Sequence, residues 1–228
     1  IAFMAHFCGM GHAKIANSLR TRNHPAAGRP ERLSEIAENG YLCGEKTGKT
    51  MIKGVIFDMD GVLVDNRDAH IEAFEIICRK YGVPFDREKF MPSFGMTNDL
   101  ILERLMPEVI RRTDWRQIAR EKEETYREIF ERTIAPTRGL VDFLRALKAD
   151  GFLVGLGSSG NTPNVNFVLE RCGIAKYFDA IANGDMISRG KPDPEVYLLA
   201  VRKLGLAPAE CIVAEDAPVG IEAARRAG

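Results

Sequence analysis

The chain has 228 residues, enough for one well-packed core and a smaller accessory domain. Lysine plus arginine and aspartate plus glutamate both number 32, so charge favours neither nucleic acid nor an anionic membrane as a partner. The five cysteines have no spacing typical of disulfides or of a metal site, which favours a cytoplasmic protein. No apolar run approaches the roughly 20 residues that span a bilayer. We therefore expect a cytoplasmic protein with a small-molecule ligand and no obligate protein partner.

Residues 1–50 differ from the rest of the chain. Residues 1–30 contain four basic residues, no aspartate or glutamate, and no sustained periodicity. Such a segment is typical of a transit peptide, or of an upstream extension if translation starts at Met51. We favour the second interpretation and expect residues 1–50 to be a non-native or poorly ordered extension.

The first core strand ends in two acids. The apolar run 55–57 is followed by Asp58, Met59, Asp60 and Gly61. Successive side chains of a strand point to opposite faces, so the two carboxylates reach one pocket only if the strand gives way to a loop there. Glycine permits that loop. Two carboxylates in one pocket can serve as a nucleophile and as an acid/base catalyst.

Residues 66–135 predict an all-helical cap domain inserted after this strand. Apolar residues recur at helical spacing over 69–81, 98–106 and 114–132. The last of these segments is dense in charge and has a sparse apolar stripe. We interpret its charged residues as a solvated face and not as a binding surface.

After Pro136 the chain alternates between helices and strands. Apolar patterns predict helices over 139–149, 165–172 and 196–204, with further strands over 152–157, 177–182 and 211–214. Alternation of this kind predicts a parallel sheet with helices on both faces. The fold class is therefore α/β, with a doubly wound, Rossmann-like core formed by residues 51–65 and 136–228.

Polar residues follow two of the later strands. Ser158 follows the second strand, and Glu215 and Asp216 follow the last. Lys191 lies in a proline-stiffened Gly-Lys-Pro-Asp-Pro loop. Ligands of open α/β sheets bind beyond the carboxyl ends of the strands. We therefore expect Asp58, Ser158 and Asp216 to converge.

The four segments, in this order, resemble the motifs of the haloacid dehalogenase-like superfamily, specifically its phosphatase and β-phosphoglucomutase-like branch. The resemblance covers about residues 53–228. The family fold continues past the fourth strand with another strand and a helix, so the resemblance leads us to expect a missing C-terminal edge strand in a chain that stops at Gly228.

The resemblance also assigns roles to the core residues. Asp58 matches the nucleophile that forms an aspartyl-phosphate, and Asp60 matches the general acid and base. Ser158 and Lys191 match the catalytic groups that donate hydrogen bonds and positive charge to the phosphoryl group. Haloalkanoate dehalogenases lack the second carboxylate, so Asp60 argues against dehalogenation.

The acids of these motifs call for a cation. A phosphate dianion about 4 Å from one carboxylate charge is repelled by about 4 kcal/mol per unit-charge contact at an effective dielectric near 20. Oxygen ligands with open positions select Mg²⁺. By resemblance, the metal ligands are Asp58, the backbone carbonyl of Asp60, Glu215 and Asp216.

The cap is expected to close over the substrate, exclude water and contact the leaving group. The candidate substrate-binding residues are Gly61, His70, Phe94, Thr97, Asn98 and Ser159. His70 has the spacing of the hinge-side histidine of β-phosphoglucomutase. However, Phe94 and Asn98 replace the lysine and arginine that would bind a second phosphate in such a mutase.

We therefore favour a magnesium-dependent phosphatase that acts on small phosphorylated metabolites, such as sugar phosphates. A hexose phosphomutase of the β-phosphoglucomutase type is the first alternative. A catalytically silent binding protein on the same fold is an alternative from another class.

Overall fold

The computed structural model describes residues 51–228, so the predictions for residues 1–50 lie outside the described part of the chain. Its single sheet has four parallel strands in the spatial order β3-β2-β1-β4. The strands are β1 (Gly54–Phe57), β2 (Leu153–Gly157), β3 (Ala180–Ala182) and β4 (Cys211–Ala214). The predicted parallel α/β core is confirmed, and β4 lies at one edge of this sheet.

Nine α-helices lie within residues 51–228. They are α1 (Arg67–Lys80), α2 (Arg87–Phe90), α3 (Asn98–Leu105), α4 (Pro107–Ile110), α5 (Trp115–Phe130), α6 (Leu140–Ala149), α7 (Thr162–Arg171), α8 (Glu195–Leu204) and α9 (Pro218–Ala227). Short 3₁₀ turns cover Met91–Ser93, Ala175–Tyr177, Gly184–Met186 and Pro208–Glu210. Within the described range, every helix is too short or too polar to cross a bilayer.

Helices α1 to α5 follow β1 and precede β2, and we call residues 67–130 the helical insert. The insert has an apolar cluster of its own, in which Phe74, Phe90, Leu102 and Ile118 are almost fully buried. Helices α1 and α5 pack against each other along their length. The three helices expected from the periodicity are present, and the two short helices α2 and α4 were not predicted.

Alternate residues of β1 enter different apolar clusters. Val55 and Phe57 belong to the cluster that includes α6 and α7, whereas Ile56 belongs to the cluster under α8 and α9. Side chains that alternate between two covered faces are the reason the strand is apolar at every position. Burial of each such side chain contributes about 1.5–3 kcal/mol, and the sheet is thereby held between two helical layers.

Two predicted boundaries were wrong. The strand expected over 177–182 is reduced to Ala180–Ala182, because Tyr177 belongs to a 3₁₀ turn and packs, with Phe178, on the core. The helix expected from residue 165 begins at Thr162, because the Asn161 side chain accepts a hydrogen bond from the backbone N–H of Asn164. Asn161 is therefore a helix cap.

Candidate active site

The ends of the parallel strands bring the predicted residues together. Asp58 directly follows β1, and its N–H donates to the carbonyl of Ala214 at 2.9 Å. Ser158 directly follows β2, and its N–H donates to the carbonyl of Ala182 at 3.1 Å. The ladder thus continues one residue beyond each strand and fixes both residues at one edge of the sheet. The Ser158 hydroxyl is fully buried and accepts a hydrogen bond from Gly160.

Lys191 joins two of the acids. Its Nζ lies 2.7 Å from Asp58 Oδ1 and 2.7 Å from Glu215 Oε2, and its side chain is 1% exposed. Burial opposes its positive charge, but the two carboxylates raise the pKa of Lys191 well above its ordinary value. The lysine is therefore a fixed ammonium group between two buried carboxylates.

Glu215 is held in place from several directions. Oε1 accepts hydrogen bonds from the N–H groups of Asp216, at 3.1 Å, and Ala217, at 3.0 Å. The Tyr197 hydroxyl donates to Oε2. Only glycine fits at position 220, because a Cβ there would lie 1.9 Å from Glu215 Oε2. This carboxylate therefore has one fixed orientation.

Three carboxylates form a group that fits a metal ion. Asp58, Glu215 and Asp216 each contribute an oxygen, and these oxygens lie within 4.8 Å of one another. Burial and the Glu215 charge raise the pKa of both Asp58 and Asp216. Asp216 Oδ1 is buried without a hydrogen-bond partner among the described residues. Mutual repulsion and a buried oxygen without a partner fit a site for an oxygen-bound divalent cation.

Gly61 makes room for this group. It has a φ of 83°, in the left-handed region, and a Cβ at this position would lie 2.3 Å from Asp216 Oδ2. Any larger residue would displace the aspartate. The structure thus places Gly61 against Asp216, and it is not among the residues that line the cleft described below.

Asp60 lies outside the group of three carboxylates. Its Oδ1 accepts a hydrogen bond from Asn66 Nδ2 at 2.6 Å, and His70 Nε2 lies 3.7 Å away. Burial opposes ionisation, but His70 and Asn66 lower the pKa of Asp60 below its ordinary value. These two neighbours thus favour the form of Asp60 that can accept a proton.

A cleft of about 510 Å³, part of it open to solvent, lies between the core and the helical insert. The core lines it with Asp58, Asp60, Ser159, Gly160 and Asn164, and the insert lines it with His70, Phe74, Phe90, Phe94, Gly95, Met96, Asn98, Ile101, Lys122 and Glu123. Four predicted substrate-binding residues, His70, Phe94, Asn98 and Ser159, thus share one cavity. The Ser159 hydroxyl donates to the Gly95 carbonyl at 2.8 Å and links the two walls.

Thr97 is placed differently from the expectation. It immediately precedes α3 and packs against the loop that carries Lys191, since a Cβ on Gly190 would lie 2.9 Å from Thr97 Cγ2. Thr97 therefore contacts this loop and does not line the cleft.

The interpretation of α5 as a helix with a solvated charged face was wrong at two positions. Lys122 is 2% exposed and Glu123 is 4% exposed, and both line the cleft. The Lys122 Nζ lies 2.8 Å from His70 Nδ1 and 3.0 Å from Glu123 Oε1. A signal was present in the sequence: Ile118, Lys122 and Tyr126 are spaced by four residues, so the lysine lies on the apolar stripe of its helix.

Glu123 connects the insert to the core. Its Oε1 accepts a hydrogen bond from Asn98 at 2.7 Å, and its Oε2 accepts one from Asn164, on α7 of the core, at 2.6 Å. Burial opposes its charge, but Lys122 and His70 lower the pKa of Glu123 below its ordinary value. An ionised carboxylate thus lies at the junction of the two walls.

A second network positions Asp60. The Asn66 amide also donates to the Tyr126 hydroxyl, at 2.7 Å. The His70 ring stacks on the Tyr126 ring with a centroid distance of 3.9 Å. Tyr126 therefore supports both neighbours of Asp60. Sequence reasoning missed Asn66 and Tyr126, because neither belongs to a recognisable motif.

Known proteins agree with this architecture. The haloacid dehalogenase-like hydrolase family model matches residues 55–228. A phosphorylated carbohydrates phosphatase of Thermotoga maritima is 30% identical, covering 78% of this chain and 82% of that protein. A fructose-1-phosphate phosphatase of Escherichia coli is 32% identical, and the match covers 77% of this chain and 92% of that protein. The crystal structure of a β-phosphoglucomutase from Clostridium difficile has a TM-score of 0.71 and 29% identity, and the match covers 78% of this chain and 82% of that one. The chain belongs to the haloacid dehalogenase-like hydrolase family and is an enzyme of its phosphatase and phosphomutase branch.

Proposed function

We propose that this enzyme is a magnesium-dependent phosphatase that hydrolyses small phosphorylated metabolites, foremost sugar phosphates, through an aspartyl-phosphate intermediate. One observation carries the proposal: the Asp58 carboxylate borders the cleft while it is held by the buried Lys191 ammonium beside Glu215 and Asp216. The relatives named for phosphorylated carbohydrates and for fructose 1-phosphate support this substrate class.

The first half-reaction transfers the phosphoryl group to Asp58. Hydrolysis of a phosphate monoester needs a barrier reduction of roughly 20 kcal/mol or more. Lys191 orients Asp58 through Oδ1. A carboxylate oxygen of Asp58 then attacks phosphorus as the bond from phosphorus to the leaving oxygen breaks. Asp60, which has to carry a proton at this stage, gives that proton to the leaving oxygen.

The second half-reaction releases phosphate. Asp60, held by Asn66 and near His70, takes a proton from a water molecule that attacks the phosphorus. The bond between phosphorus and the Asp58 oxygen breaks, so the carboxylate is restored and inorganic phosphate leaves. One residue thus serves as acid in the first half-reaction and as base in the second.

The acidic group is proposed to hold Mg²⁺ through Asp58, Glu215 and Asp216, with the backbone carbonyl of Asp60. The unpartnered Asp216 Oδ1 fits this assignment. When bound, the ion supplies positive charge that offsets the repulsion between the phosphate dianion and the carboxylates.

Residues 66–135 are proposed to act as a cap over the core, which consists of residues 51–65 and 136–228. The hydrogen bonds from Ser159 to Gly95 and from Asn164 to Glu123 join the two parts across the cleft. Arg67 of the insert also forms an ion pair with Asp216, at 3.2 Å. Closure of this kind excludes water from the reacting group.

The test is hydrolysis of 4-nitrophenyl phosphate by the full chain in the presence of Mg²⁺. We expect EDTA to abolish turnover and Asp58→Asn to lower it by at least about 10³-fold. Asp68→Asn, which removes an exposed acid of α1, is the matched control and should retain activity. Undiminished turnover of Asp58→Asn would remove Asp58 from its role.

A phosphomutase is the second candidate, because Lys122 places a buried cation on the insert side of the cleft. Its ammonium group, however, is already bound by His70 and Glu123. A mutase would interconvert phosphate positions in the presence of a sugar bisphosphate with little release of free phosphate. Our proposal predicts one free phosphate for each ester consumed, and a coupled assay distinguishes the two outcomes.

A further inference from the structure

The insert side of the cleft contains a carboxylate that the phosphoryl-transfer chemistry does not use. Glu123 is 4% exposed and lines the cleft together with Asn98 and Asn164. An ionised carboxylate has about four lone-pair positions. Three are filled, by Asn98 and Lys122 on Oε1 and by Asn164 on Oε2. By this count, one acceptor position on Oε2 has no donor among the described residues.

The neighbouring cation is not free to bind a second anion. The Lys122 ammonium bonds to Glu123 and His70 and lies 4.5 Å over the ring of Phe74. Among the described residues that line the cleft, Lys122 is the only lysine or arginine. We call the insert side of the cleft the leaving-group side, because the phosphoryl group would lie at Asp58 on the core side. The leaving-group side presents an ion pair, amide groups and an aromatic ring, without an unpaired ammonium or guanidinium group.

This chemistry fits an uncharged leaving group that carries hydroxyls. A hydroxyl can donate to the open position on Glu123 Oε2, and the partly exposed Asn98 amide can bind a further hydroxyl. The partly exposed ring of Phe94 offers apolar surface to the carbon face of a sugar or polyol. Lys122 pairs with Glu123 on Oε1, whereas only the uncharged Asn164 amide bonds to Oε2. A second phosphate or a carboxylate on the Oε2 side would therefore meet a carboxylate oxygen and no cation.

We propose that Glu123, held by Asn98 and Asn164, is a specificity-determining residue that selects uncharged polyhydroxylated leaving groups and rejects substrates with a second anionic group. The inference rests on the proposed phosphatase function, because it concerns the leaving group of that reaction. Rejection comes from juxtaposition of like charges in a partly dehydrated site.

The experiment compares two substrates that differ by one anion, fructose 1-phosphate and fructose 1,6-bisphosphate, with phosphate release from each measured as kcat/KM. We expect the full chain to prefer the monophosphate by at least about 10-fold. Glu123→Gln keeps the shape and removes the charge, and should reduce this preference by about 10-fold, chiefly through a lower KM for the bisphosphate. The measured quantity is the ratio of the two kcat/KM values, so a loss of activity that affects both substrates equally leaves it unchanged.

Glu124→Gln is the matched control, because Glu124 is the next residue of the same helix and is exposed. It should leave the preference unchanged. If Glu123→Gln does not fold, Asn98→Lys tests the same idea, since an added cation should raise kcat/KM for the bisphosphate. Equal preference in the wild type and Glu123→Gln, or an effect of the same size in Glu124→Gln, would overturn the inference.

Failure of the proposed function gives a different result. In that case 4-nitrophenyl phosphate is not hydrolysed in the presence of Mg²⁺. If this general substrate is hydrolysed but the bisphosphate is used as well as the monophosphate, the phosphatase assignment stands and the role of Glu123 is wrong.

Discussion

The two halves of the cleft are built in different ways. The phosphoryl half consists of residues on or near the strand ends. Asp58 lines the cleft, whereas Ser158, Lys191, Glu215 and Asp216 belong to the same cluster and do not line it. The leaving-group half consists of residues on helices or helix ends of the insert, His70, Asn98, Lys122 and Glu123. The first half is a compact cluster of buried charges, whereas the second is a network of hydrogen bonds that reaches from the insert to α7 of the core. Under the proposed function, the sheet would fix the chemistry and the packing of the insert would set the selectivity.

The largest effect that tests this comparison is expected at Lys191. Lys191→Met leaves Asp58 and Glu215 buried without their shared cation, which should lower the free energy of unfolding by about 3–5 kcal/mol and abolish phosphatase activity. Urea unfolding in EDTA measures the stability change without a compensating metal ion.

The exposed Lys176 provides the control for that substitution. Lys176→Met should change the free energy of unfolding by no more than about 0.5 kcal/mol. A loss below 1 kcal/mol in Lys191→Met would show that the phosphoryl half does not depend on this buried cation.

The next effect separates proton transfer from phosphoryl transfer. Asp60→Asn should lower turnover of a sugar phosphate by about 10²–10⁴-fold, because the alcohol leaves poorly without a proton. The loss should be smaller for 4-nitrophenyl phosphate, whose leaving group needs no proton. Equal losses on both substrates would argue that Asp60 positions other groups and does not act as an acid.

The smallest effect concerns the buried network that supports Asp60. Tyr126→Phe removes the hydroxyl that accepts from Asn66, whose amide then keeps its bond to Asp60. A buried N–H that loses its acceptor should cost about 1–3 kcal/mol of stability. Thermal or urea unfolding measures it.

Tyr81→Phe is the matched control, since the Tyr81 hydroxyl bonds to Glu121 in a partly exposed site. The change there should be about 1 kcal/mol or less. Equal losses in the two variants would show that the buried network around Tyr126 contributes no more to the free energy of unfolding than a partly exposed hydrogen bond does.

The strand-end residues could be predicted because two simple rules act together. An apolar run followed by an acid marks the end of a buried strand, and parallel strands place their carboxyl ends along one edge. Asp58, Glu215 and Asp216 met for that reason. The boundary errors at β3 and α7 had local causes, a 3₁₀ turn and an asparagine cap, which override apolar periodicity.

The leaving-group half was predicted less well. His70, Phe94 and Asn98 were found through family resemblance, but Lys122 and Glu123 were assigned to solvent because their helix is rich in charge. Charge in a helix favours exposure only on average. These two residues are buried because they form an ion pair with each other and hydrogen bonds with His70, Asn98 and Asn164.

The sequence by itself determined the order of strands and helices, the parallel sheet and the acids at its edge, because strand periodicity and chain connectivity are local properties. Tertiary structure alone decided which face of α5 lies against the cleft and which polar groups compensate its buried charges. Those contacts join segments up to 60 residues apart, such as Asn66 and Tyr126, and their geometry depends on how whole helices pack.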